Sequence, residues 1–67
     1  MVNGKRLKAL REAAGMTTTQ LADAVGVNQS MISNMEREFK TPSVEVLVRI
    51  AVRLGASLDD LVKKKEA

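Results

Sequence analysis

Apolar residues recur along this chain at helical spacing, in short runs separated by polar punctuation. In VNGKRLKALREAAG, Leu7, Leu10 and Ala14 fall on one face at three- and four-residue intervals. Asn3 can cap that run, Val2 and Leu7 can staple it, and Gly15 supplies a left-handed stop. In MTTTQLADAVG, Thr17 and Gln20 have the spacing of a capping box, Met16 and Leu21 form the staple, and Gly26 ends the run. Asn28 then caps a third helix, with Val27 stapled to Ile32. Pro42 and Ser43 open a fourth, which Gly55 closes, with Leu47, Ile50, Ala51 and Leu54 as its buried stripe. Ser57 caps a fifth, with Asp59 and Asp60 favourably placed in its first turn. Leu58, Leu61 and Val62 are expected to cover the core from that helix. The β-branched VEVLV is strand-like in composition, but Ser43 before it and the helical stripe after it assign it to a helix.

The pattern predicts an all-α fold, a compact bundle of five helices with short connections. Helices this short are marginal alone and depend on mutual packing. With 67 residues there is room for one domain, expected to span residues 1–67. The single aromatic is Phe39, so the core is aliphatic. The chain has no cysteine and no histidine, which excludes disulfides and Cys/His zinc sites, and no cofactor is expected. No apolar run approaches the ~20 residues of a membrane span, and MVNGKRLKAL lacks the apolar region of a signal peptide. The expected setting is the cytoplasm, with no membrane partner and no small-molecule ligand. The net charge is +3. Residues 63–67, KKKEA, are expected to be a basic, solvated end.

Helices two and three, joined by VGVN, have the form of a helix-turn-helix. Ala22 is small where the helices approach, Gly26 suits the turn, and Ile32 and Met35 face inward. The outer face of helix three carries Gln29, Ser30, Ser33 and Asn34. Amide side chains pair bidentately with adenine N6 and N7 in the major groove, and serine is more permissive. These residues are the candidates for reading bases in double-stranded DNA. Positive charge belongs on the flanks, where it holds phosphate without reading sequence. The phosphate candidates are Lys5, Lys8, Thr18, Thr19, Asn28, Arg37 and Lys40, with Arg6 beside them. A solvated surface is the competing reading of the polar face, and the turn, the caps and the amides together outweigh it. Glu36 follows the inward residues Ile32 and Met35, so it is expected to turn inward and pair with Arg11.

RLKALREAAGMTTTQLADAVGVNQSMISNMER followed by TPSVEVLVRIAVRLGASLDDL resembles the Cro/CI-type (XRE) helix-turn-helix family of phage repressors and bacterial regulators, over about residues 5–62. The resemblance implies a lambda-repressor-like domain that binds a palindromic operator as a homodimer, with helix three in the major groove. It implies base reading at Gln29, Ser30 and Asn34, a less regular contact at Ser33, and a bridge between Arg11 and Glu36. Two positions depart from the family pattern. Thr18 stands where a glutamine often contacts phosphate and braces its neighbour, so that bracing is expected to weaken. Glu38 stands where glycine is usual, which puts negative charge near phosphate unless the side chain turns away.

Val44, Val48 and Val52 on helix four, with Leu58 and Val62 on helix five, exceed what a small core needs. They are candidates for a dimer surface, with core filling as the alternative. The chain resembles either an excised DNA-binding domain or compact members such as restriction-modification controller proteins. The rival function is a protein-interaction module of the same fold, such as an antitoxin or adaptor. Catalysis is not expected, because five short helices leave little room for a pocket.

Overall fold

A computed structural model describes residues 2–63. It contains α1 (Gly4–Ala13), α2 (Thr18–Val25), α3 (Gln29–Glu36), α4 (Val44–Leu54) and α5 (Leu58–Leu61). Each helix starts at the capping residue that the sequence nominates. Asn3 accepts from the Arg6 N–H at 3.1 Å, Asn28 from the Met31 N–H at 3.0 Å and Ser43 from the Val46 N–H at 3.3 Å. Thr17 and Gln20 form the reciprocal box, at 2.8 and 3.1 Å. Ser57 and Asp60 make a second such box, so Asp60 binds the helix start directly as well as complementing its dipole. Caps of this kind satisfy N–H groups that have no helical partner, and each contributes about 0.5–2 kcal/mol.

Leu7, Leu21, Ile32, Met35, Ile50 and Leu61 are fully buried and form the centre of the core. α2 packs on α3 and α4, α1 packs on α3 and α5, and α4 packs on α5. The third helix is thus held from two sides, by α2 and α1. No helix among the described residues is long and apolar enough to cross a membrane.

Three expectations are corrected. Ala14 is exposed at the end of α1, and the inner position one turn earlier belongs to Arg11. Leu58 is partly exposed, leaving Leu61 as the fully buried residue of α5. Val62 is not helical. The four-residue α5 ends at Leu61, and Val62 turns extended and pairs in antiparallel fashion with Val2. The Asn3 N–H donates to the Leu61 carbonyl at 2.7 Å, so the two ends of the fold are buckled together.

That buckle brings the start of α1 against the end of α3. Gly4 is buried there, and a Cβ on it would stand 2.3 Å from the Glu36 carbonyl oxygen. The next residues turn sharply: Glu38 has φ 62, in the left-handed region that the missing glycine would favour. Its carboxylate accepts from the Gly4 N–H at 2.9 Å and from the Lys63 ammonium. An anion at a helix N-terminus meets unsatisfied N–H groups and the positive end of the dipole. These two contacts, Lys63 foremost, hold the Glu38 carboxyl below its ordinary range. Lys63 is therefore bonded to the fold, while the rest of the KKKEA end lies outside the described residues.

Candidate nucleic-acid interface

The polar face of α3 is built on its buried face. Ile32 and Met35 are fully buried and fix the helix rotation, which leaves Gln29 and Ser30 exposed and Ser33 and Asn34 half-buried. The turn before α3 is closed by Gly26 at φ 78, whose N–H donates to the Ala22 carbonyl. The Val27 N–H donates to the same carbonyl at 3.0 Å.

Gln29 is braced after all. Its Nε2 donates to the Thr18 hydroxyl at 3.1 Å, across the turn between the two helices. The shorter threonine does what a longer amide was thought necessary for, because the first turns of α2 and α3 lie close together. One amide hydrogen is used in this bond. The second hydrogen and the carbonyl oxygen remain for a bidentate pair with adenine. Ser30 donates its hydroxyl to Asn28 Oδ1 at 3.0 Å, and the same oxygen caps α3. The Asn28 amide nitrogen stays available as a donor. The side chain of Asn34 has no partner among the described residues.

Behind this face Arg11 grips Glu36. Nε donates to Oε2 at 2.6 Å and Nη2 to Oε1 at 3.1 Å, a two-pronged pair with side chains 10% and 9% exposed. Nη1 donates to the Met16 carbonyl at 2.8 Å. The Glu36 hydrogen bonds raise the Arg11 pKa above its ordinary value despite the opposing cost of burial. One guanidinium therefore ties α1, the α1–α2 turn and the end of α3 together. The polar face of α3 inherits its position from this tie.

The phosphate candidates are spread around α3. Lys5 and Lys8 are exposed on α1, Thr19 at the start of α2, and Arg37 and Lys40 beyond α3. Thr18 is half-buried and engaged with Gln29. Arg6 pairs loosely with Asp60 at 3.8 Å and so leans toward α5. Glu38 turns back onto α1, which removes its charge from the loop. On the far flank, Val44, Val48 and Val52 are exposed at four-residue intervals on α4. Val62 is only half-buried, but its backbone is engaged by Val2.

Sequence reasoning missed the close approach at Gly4 and the anchoring role of Glu38. Asn3-Gly4 reads as an ordinary helix start, and a close approach between distant segments leaves no local trace. The one available signal was the absence of glycine after α3, which marks Glu38 as the residue forced into a left-handed turn.

Known proteins share this fold. Residues 7–61 match the helix-turn-helix family pattern. The transcriptional regulator ImmR of Bacillus subtilis is 33% identical over 63 residues, which cover 94% of this chain and 50% of ImmR. The chain thus spans about half the length of that relative. The P22 c2 repressor, solved in complex with a synthetic operator, superposes with a TM-score of 0.83 at 30% identity, covering 88% of this chain and 89% of the repressor chain. SinR, described as a master regulator for biofilm formation and solved with DNA, gives 0.78 at 32% identity, covering 84% of this chain and 90% of that one. With its paired α2 and α3, its Gly26 turn and a family match over nearly the whole fold, the chain belongs to the XRE-type helix-turn-helix family.

Proposed function

We propose that this chain is the DNA-reading domain of a repressor-like transcription regulator. It binds a two-fold symmetric operator as a homodimer, with α3 in the major groove and half-sites about one DNA turn apart. The observation that carries this reading is the braced polar face of α3. Gln29 is aimed by Thr18, the Asn34 side chain has no partner among the described residues, and the helix beneath them is pinned by the Arg11–Glu36 tie. The P22 c2 and SinR complexes with DNA support it by likeness of fold and sequence.

Gln29, Ser30, Ser33 and Asn34 read bases in this scheme. Lys5, Lys8, Thr18, Thr19, Asn28, Arg37 and Lys40 hold phosphate. Val44, Val48 and Val52 supply the contact between copies, with Leu58 at its margin. Residues 1–67 act as one domain, working in the cytoplasm where duplex DNA lies.

Selection from random duplexes tests this reading, at low and at physiological salt, with the mass in solution followed by light scattering. A palindromic consensus bound by two chains, with A·T pairs opposite Gln29 and Asn34, is the expected result. Binding that vanishes with salt and shows no consensus overturns it, since charge alone then holds the DNA. Should Gln29→Ala and Asn34→Ala leave the physiological partner bound, that partner is a protein and the domain is an adaptor.

A further inference from the structure

The loop after α3 presents a second surface, whose interpretation rests on α3 lying in the major groove. An α-helix rises about 1.5 Å per residue, so the eight residues of α3 extend roughly 12 Å. The major groove is about 12 Å wide. A helix of that length that reads bases from Gln29 to Asn34 nearly spans the groove, so the residues that follow it reach the sugar–phosphate wall. Residues 37–40 leave the helix at that end.

Phe39 is the sole aromatic of the chain and is 66% exposed. It is not loose. Its N–H donates to the Asn34 carbonyl at 2.8 Å, which ties it to the last turn of the reading helix. The Arg37 guanidinium stands over the ring, 4.4 Å from its centroid. Between these two residues the left-handed turn at Glu38 folds the carboxylate back onto Gly4 and Lys63. Three consecutive side chains are thus sorted, with the cation and the ring in solvent and the anion withdrawn. A lone exposed apolar side chain is ordinary and carries little weight. A ring fixed under a cation, cleared of its neighbouring anion and followed by Lys40, suits a surface that is both anionic and partly apolar.

We infer that Phe39 and Arg37 make a second DNA contact, in which the ring packs on a deoxyribose at the groove edge and the guanidinium held over it pairs with the adjoining phosphate. The ring adds apolar contact without counter-ion release, and the arginine adds charge. The two contributions therefore separate by salt dependence. Neither reads sequence, so both act on any duplex.

The test is fluorescence anisotropy on a selected consensus duplex and on a scrambled one, across a salt series, for the parent chain, Phe39→Ala and Arg37→Ala. Light scattering at the same concentrations follows oligomeric state. Phe39→Ala is expected to weaken both duplexes by about fivefold to tenfold per chain, corresponding to partial burial of one ring, with the salt slope unchanged. Arg37→Ala is expected to make the slope shallower by about 0.9 per chain. Parental affinity for both duplexes in Phe39→Ala overturns the inference. So does a loss of affinity that disappears when two Phe39→Ala chains are joined by a flexible linker, because the ring then belongs to a contact between copies. A parent chain that does not distinguish the duplexes overturns sequence reading alone. In that case equal weakening of both by Phe39→Ala still supports the contact, and a parent that binds neither duplex overturns both.

Discussion

Replacing Arg11 by methionine tests how α3 is held. Methionine matches much of the arginine stem but leaves the Glu36 carboxylate, 9% exposed, without its two donors at 2.6 and 3.1 Å. Removing one member of a buried pair costs about 3–5 kcal/mol. The Met16 carbonyl also loses a charged donor, worth about 1.5 kcal/mol. A chain of 67 residues has roughly 3–10 kcal/mol of stability in total, so the single variant should lose about half of it or more. The pair itself contributes far less than its breakage costs, because both charges were taken from water. Arg11→Met/Glu36→Leu should therefore recover most of the loss. Urea unfolding followed by circular dichroism gives each value, and Arg11→Lys, which cannot fork, provides an intermediate step that stays measurable. The coupling energy between the positions should exceed about 2 kcal/mol. A cost below about 1 kcal/mol for Arg11→Met, or additive costs in the double variant, refutes the reasoning.

Gly4→Ala should destabilise by about 1–3 kcal/mol, although alanine normally favours helices, because its Cβ meets backbone of Glu36 at 2.3 Å. A neutral or stabilising result in a thermal melt would show that α1 and α3 separate easily. The lowered Glu38 pKa makes a pH prediction. Its stabilisation is present above the unfolded value, about 4.3, and is lost as pH falls through the folded value. Glu38→Gln should flatten the acid limb of the stability curve, and parallel curves for the two chains would contradict this. Asn34→Ala should cost about 1–3 kcal/mol against its matched base pair and relax specificity there, whereas Lys8→Ala should weaken all duplexes alike. Binding profiles across single-base operator variants separate the two outcomes.

Much of the fold is written locally. Asn3, Thr17, Asn28, Ser43 and Ser57 each mark a helix start, and the structure places a side-chain hydrogen bond at every one. A cap acts within three residues, so a single sequence suffices to see it. The same holds for the helix-turn-helix, whose glycine turn and apolar spacing are short-range features. The Arg11–Glu36 pair was legible for another reason: a carboxylate on an inward-facing position needs a cation, and few cations face the core.

What the sequence by itself determined is therefore the set of helices, their starts, most of their buried positions and the amide-rich face of α3, with Ala14, Leu58 and Val62 as the exceptions. Tertiary structure decided the relations between distant segments. Only the packed chain shows Val2 pairing with Val62, and Gly4 pressed on the end of α3. Only there does Thr18 reach Gln29, and Glu38 fold back to clear the loop that carries Arg37 and Phe39. The physical reason is range. Capping and periodicity are set by neighbours one turn away, whereas a close approach depends on where whole helices settle when the core closes.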